Sequence, residues 1–137
     1  MNDELVKLWI IKADNDLKTS KDEINTMDPA TDTVCFHSQQ CVEKYLKAYL
    51  VFKGIEIIKS LKTHDISELI DYCKNIDKDF EQLISNNDAD RLTNYSIEAR
   101  YPDDFYLPSV EECNQAIHIA EYVKDFVKCK IMNLSGN

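Results

Sequence analysis

CFHSQQCVEKYLKAYL, residues 35–50, is the stretch from which the rest of the chain can be read. Val42, Tyr45, Leu46, Tyr49 and Leu50 recur at steps of three and four residues, and Val34 and Ser38 continue the row backwards. That is the spacing of one helix face and not the alternation of a strand. Cys35, Phe36 and Cys41 widen the stripe, so this helix is expected to be covered on more than one side. Asp32 or Thr33 is expected to cap its first free amides, and Gly54, just after Lys53, supplies a left-handed stop. The sequence predicts a central helix with others packed around it.

Working outward, Leu5, Leu8, Trp9, Ala13, Leu17, Ser20, Ile24 and Met27 follow the same period over Asp3 to Met27, predicting a long amphipathic helix that Asp28-Pro29 ends. On the other side, Thr63 or Asp65 can cap a shorter helix presenting Ile66, Leu69, Ile70 and Cys73. Asp77 can cap another through Phe80, Leu83 and Ile84. After Asn86-Asn87-Asp88, the residues Leu92, Tyr95 and Ile97 predict one more helical segment before Pro102. Ser109 and Glu112 form a capping box that opens a last helix through Val110, Cys113, Ala116, Ile117, Ala120, Val123, Val127 and Ile131. Two glycines and three prolines are too few turn residues for an all-β domain of this size. The expected fold is therefore all-α, an antiparallel up-and-down bundle of about five helices, with one domain over residues 1–133 and a frayed tail over 134–137.

The 137 residues are 44% apolar and 30% charged, with a formal net charge of -9. That is enough apolar side chain for a core without a staple or a metal. The apolar runs fall far short of the ~20 residues a membrane-spanning helix needs, so no membrane association is expected. The acid excess argues against a protein that coats nucleic acid by bulk charge. Five cysteines, an odd number, with no apolar N-terminal stretch, point to a reduced, cytoplasmic setting in which thiols serve as small hydrophobes. Zinc is not expected, for want of a Cys-x-x-Cys pattern, and a single internal glycine excludes Gly-rich phosphate loops. Cys41 and His37 stand four residues apart, but nothing in the sequence supplies an orienting third group or an oxyanion site. No cofactor is expected.

Three polar sets remain. Gln40, Glu43, Lys44 and Lys47 share one helix face, beside Gln39, and open the one basic stretch of an acidic chain. Between Lys44 and Lys62 there are five lysines against Glu56. This set reads equally well as a solvated, ion-paired face or as a phosphate-facing patch. Lys62-Thr63-His64-Asp65 lies at a helix start, where backbone amides and a lysine could meet an anion, or where Thr63 and Asp65 merely cap. Tyr95, Glu98, Arg100, Tyr101, Pro102, Asp103, Asp104 and Tyr106 hold one of only two arginines. That arginine could face a phosphodiester or pin its own loop by pairing with Asp103 or Glu98.

LWIIKADNDL in the first helix, QQCVEKYLKAYL in the second, the Lys62-Thr63-His64-Asp65 link and the Arg100-Tyr101-Pro102-Asp103 segment together resemble the HEPN domain family. The family comprises small helical proteins often encoded beside minimal nucleotidyltransferases. The resemblance covers nearly the whole chain and implies a bundle that forms a homodimer; if the dimer surface is built from Arg100 and the last helix, residues such as Tyr106, Tyr122 and Phe126 should pair across a two-fold axis. Many members are metal-independent endoribonucleases with an Arg, a following polar residue and then a His. Arg100 matches the Arg and Tyr101 takes the polar position, but Phe105, Tyr106 and Leu107 stand where the His would be. Without that acid or base, cleavage by this route should lose ~100- to 10,000-fold.

The resemblance therefore implies a nucleotide- or RNA-binding module, the helical partner of a minimal nucleotidyltransferase in a toxin-antitoxin-like pair. Lys44, Lys47, His64 and Arg100 would hold phosphate, and Tyr101, Asp103 and Tyr106 would complete the ligand site. Two alternatives stand beside it. One is an endoribonuclease toxin in which Arg100 works with a non-standard histidine, His64 or His118. The other is a purely structural dimeric adaptor.

Overall fold

A computed structural model describes residues 3–58, 61–95 and 107–135, with side chains to residue 132. Its helices are α1 (Asp3–Ile24), α2 (Thr31–Phe52), α3 (Ile66–Ile76), α4 (Gln82–Ser85) and α5 (Val110–Ser135). Single 3-10 segments lie at Lys78–Glu81 and Ala89–Tyr95, and no strand occurs among the described residues. The all-α bundle expected from the apolar periods is the architecture found. Arg100, Tyr101, Asp103 and Tyr106 fall outside the described residues, as does the end of the expected tail.

α2 is the axis of the bundle. It packs most extensively on α1, then on α5, and also meets α3 and the Ala89–Tyr95 segment. Val34, Cys35, Cys41, Val42, Tyr45, Leu46 and Tyr49 are fully buried along it. These side chains form one core with Ala13 and Leu17 of α1, Leu69 and Ile70 of α3, and Cys113, Ala120 and Val127 of α5. A smaller cluster of Val6, Val51 and Phe52, with Trp9 packed against it, closes one end.

Local chemistry explains most boundaries. Gly54 stops α2 with φ +83, in the left-handed region that costs a side-chain-bearing residue strain. Asp65 caps α3 by accepting from the Ser67 and Glu68 amides, and Asp77 accepts from Asp79 N. The Ser109/Glu112 box closes in both directions, each bond at 3.1 Å. Three boundaries or faces differ from expectation. α1 ends at Ile24 instead of Met27, and Met27 is fully exposed. α2 begins at Thr31 after Ala30, so neither Asp32 nor Thr33 is the cap residue; Glu23 reaches across to accept from Ala30 N (2.8 Å). The buried stripe of α1 is Val6, Ala13, Asp16, Leu17 and Ser20, which leaves Leu5 and Leu8 on the exposed side. Ala13, Leu17 and Ser20 are on the buried side as expected, and a buried aspartate beside them turns the stripe away from Leu5 and Leu8.

Candidate functional site

One turn of α2 carries the polar centre of the molecule. Glu43 lies on the side of α2 that its neighbours cover, and its side chain is only 5% exposed. A carboxylate there needs partners on both oxygens. Lys47, one turn on and 6% exposed, donates to Oε2 at 2.8 Å. His64 Nδ1 lies 2.9 Å from Oε1, which also accepts from Gln39 Nε2 at 3.1 Å. Gln40 Nε2 donates to Gln39 Oε1 (2.7 Å), closing the network on α2. Burial alone would raise the Glu43 carboxyl, but the hydrogen bonds from Lys47 and His64 outweigh it and hold the group below its ordinary value of 4.5. Lys47 also lies 5.8 Å over the Trp9 ring of α1.

His64 is placed by the backbone around it. Gln39 Nε2 donates to the His64 carbonyl (3.2 Å), Thr63 Oγ1 accepts from Asp65 N (3.0 Å), and Thr93 Oγ1 accepts from Ile66 N (3.0 Å). The last bond ties the start of α3 to the Ala89–Tyr95 segment. The His64 side chain is 42% exposed. Because a carboxylate can only accept, Nδ1 carries the hydrogen in the bond to Glu43. Nε2 is then a lone-pair atom in the neutral ring and a donor in the charged one. A ring fixed by a buried carboxylate at one nitrogen and open at the other can bind an anion or move a proton. Lys62, two residues earlier, is exposed.

Lys44 turns away from this centre to a second one. Its Nζ lies 2.5 Å from Asp16 Oδ2, and His37 Nδ1 lies 2.7 Å from Oδ1 of the same carboxylate on α1. Beside it Asp14 accepts from the Tyr45 hydroxyl and pairs with Lys124 (3.3 Å). The α2 face that looked continuous in sequence is therefore divided between two acids. Lys47 and His64 meet on Glu43, whereas Lys44 meets His37 on Asp16. The sequence signal for the second centre was present in Asp16 and His37, but no spacing rule links residues on different helices.

The Cys41/His37 pairing does not form a nucleophilic couple. His37 is committed to Asp16, and burial, with the nearby Asp16 and Asp14 charges, pushes the Cys41 thiol well up from its ordinary range. Cys35, Cys73 and Cys113 are buried as well, and Cys129 is exposed. Among the described residues no group of three His, Cys, Asp or Glu side chains is arranged to hold a metal ion. No helix among them is long and apolar enough to cross a membrane.

Comparison with known proteins identifies the family. A protein of Methanocaldococcus jannaschii named as a candidate toxin is 29% identical over 143 residues, covering 94% of this chain and 92% of its own. The crystal structure of an archaeal HEPN homologue superposes with a TM-score of 0.68 at 30% identity, covering 92% of this chain and 97% of that one. The HEPN domain model matches residues 6–130, which take in most of α1, all of α2, the Glu43–His64 centre and most of α5. The chain belongs to the HEPN domain family.

Proposed function

We propose that this HEPN domain is a nucleotide- or RNA-phosphate-binding module that works as the helical partner of a minimal nucleotidyltransferase, in a toxin-antitoxin-like pair. The observation that carries the reading is His64, held through Nδ1 by the buried, charged Glu43 and open at its other nitrogen, at the start of α3 beside Lys62. The toxin name of the Methanocaldococcus jannaschii relative supports the pairing. In this reading Lys47 and Lys44 act through their carboxylates: Lys47 fixes Glu43, and Lys44 fixes Asp16 on the adjoining α1. Arg100, Tyr101, Asp103 and Tyr106 complete the ligand site from the following segment, and a homodimer in the cytoplasm is the working form.

A thermal-shift screen with nucleotides and short RNA tests it. Ligand at 100 times its dissociation constant stabilises by about 2.7 kcal/mol, so wild-type protein should melt several degrees higher, and His64→Ala and Arg100→Ala should each shrink that rise. No rise with any nucleotide or RNA would remove the binding reading and leave the structural adaptor.

Ribonuclease activity is the second reading, favoured by the same dyad, because His64 could serve as the acid or base that the Arg100 segment lacks. RNA cleavage lost on His64→Ala would establish it, whereas an inert wild type would end it.

A further inference from the structure

The heads of α2 and α5 lie side by side, and two thiols meet between them. Cys35 of α2 and Cys113, in the first turn of α5, bring their Sγ atoms to 3.8 Å, and both residues are fully buried. The Cys113 thiol also reaches the Thr31 carbonyl, at the first residue of α2 (3.4 Å). Tyr95 packs against the core, and its hydroxyl donates to Glu112, beside Cys113, at 2.9 Å. The two sulfurs are in van der Waals contact. A disulfide bond is about 2 Å long, so each sulfur has to move only about 0.9 Å toward the other to form one.

The other thiols are placed differently. Cys73 directs its thiol to the Leu46 carbonyl (3.8 Å), and Cys41 is buried near the Asp16 and Asp14 carboxylates. Cys129 is exposed and lies more than four turns further along α5 than Cys113, about 24 Å away on a helix. The contacting pair is also graded for reaction. Burial raises both thiols, and their contact acts in opposite senses, raising Cys35 and lowering Cys113. Cys113 is therefore the easier of the two to ionise, and the free amides of the first turn of α5 favour a thiolate there. The two residues are 78 positions apart in sequence. A bond between them would tie together helices whose connection runs through α3, α4 and both 3-10 segments, so the unfolded chain would lose much of its freedom while the folded chain already holds the sulfurs in place.

We propose that Cys35 and Cys113 are a redox-active dithiol whose disulfide staples the head of α5 to α2. In a reducing compartment the dithiol is the resting form. When a low-molecular-weight disulfide accumulates and the helix heads part to admit it, the Cys113 thiolate attacks one of its sulfurs and expels a thiolate. The Cys35 thiolate then attacks the Cys113 sulfur of the mixed disulfide and expels the second. Two electrons pass to the small disulfide, and the two cysteine protons end on the two thiols released. A dithiol reductant reverses both steps. The oxidised chain resists the parting of α2 from α5, which makes its persistence depend on the redox state around it.

Equilibration of the full chain carrying Cys129→Ala, which removes the exposed thiol, in mixtures of reduced and oxidised glutathione tests this, with alkylation and peptide mass mapping to identify the linked cysteines. Cys35 should be found joined to Cys113, with a formation constant about 100-fold larger in native buffer than in denaturing urea, the ratio that a staple of ordinary strength implies. Reaching each equilibrium from both the reduced and the oxidised chain separates slow access from an unfavourable bond. The oxidised chain should melt roughly 5–10 °C above the reduced one, and dithiothreitol should abolish the difference. Cys35→Ala should make melting indifferent to the glutathione mixture; if that variant does not fold, the ratio of formation constants decides alone. The proposal is overturned if glutathione is carried on either cysteine with no link between them, if a different pair is linked, or if the bond forms no more favourably in native buffer than in urea.

Discussion

Glu43 sets the energetics of the polar centre. Its charge is buried with two cationic or proton-bearing partners, so removing the charge leaves Lys47 buried and unpaired. Glu43→Gln should therefore cost about 3 kcal/mol in chemical denaturation, while Glu43→Leu combined with Lys47→Met should cost much less, because no lone charge remains. Equal losses in the two variants would show that packing, and not charge pairing, holds this site. The same residue gives a pH signature. Its carboxyl is held below the ordinary 4.5, so the folded protein binds fewer protons than the unfolded chain in acid. The stabilisation is complete above 4.5 and disappears as pH falls through the lower, folded value. Unfolding measured between pH 7 and pH 3 should show this loss in the wild type and a flatter profile in Glu43→Gln. At this scale the sequence was only half legible. Gln39, Gln40, Glu43, Lys44, Lys47 and His64 were all visible as unusual. What they touch was not, because pairing across helices depends on how α1 and the α3 start are laid against α2.

Helix ends were the most readable elements, since caps are local chemistry. Asp65 carries the start of α3 and with it the backbone that positions His64. Asp65→Ala should cost about 1 kcal/mol, as cap removals do, and Asp65→Asn much less. Ser109→Ala should cost a similar amount by opening the box at the head of α5. A circular-dichroism melt unchanged by both alanine variants would count against the caps as stabilising features. Gly54 is legible for the same reason. A side chain there meets no atom within 4 Å, so Gly54→Ala should cost about 1 kcal/mol purely from its φ of +83. Faces were less readable than ends. Leu5, Leu8 and Met27 fit the helical period of α1 as well as the buried Val6 does; the expected row had Ala13, Leu17 and Ser20 on the buried side but not Val6 or Asp16. Asp16 and Ser20 are polar by letter and buried in fact: Asp16 because it binds Lys44 and His37, and Ser20 because its hydroxyl reaches the Val34 carbonyl (2.8 Å). The Ala89–Tyr95 segment, expected as one more helical stretch, is a 3-10 helix following the Asn86-Asn87-Asp88 turn.

For the molecule as a whole, the thiols report how closed the bundle is. Cys35, Cys41, Cys73 and Cys113 sit at the contacts of α2 with α1, α3 and α5, all with no exposed surface, and Cys35 and Cys113 bring their sulfurs to 3.8 Å where α2 meets α5. Burial raises the Cys41 and Cys73 thiols far from the thiolate form that reacts. Cys129, on the outer side of α5, is the exposed one. A thiol reagent added to native protein should therefore consume one equivalent quickly, and the other four only as fast as the helices part. In denaturant all five should react together. The slow phase should quicken as denaturant approaches the unfolding midpoint, because opening α2 from its neighbours is the same event as global unfolding when one helix contacts nearly every other. Two or more fast thiols in the native protein would instead mean that α5 or α3 lifts from α2 as a separate unit, and would place the opening at whichever cysteine is labelled first.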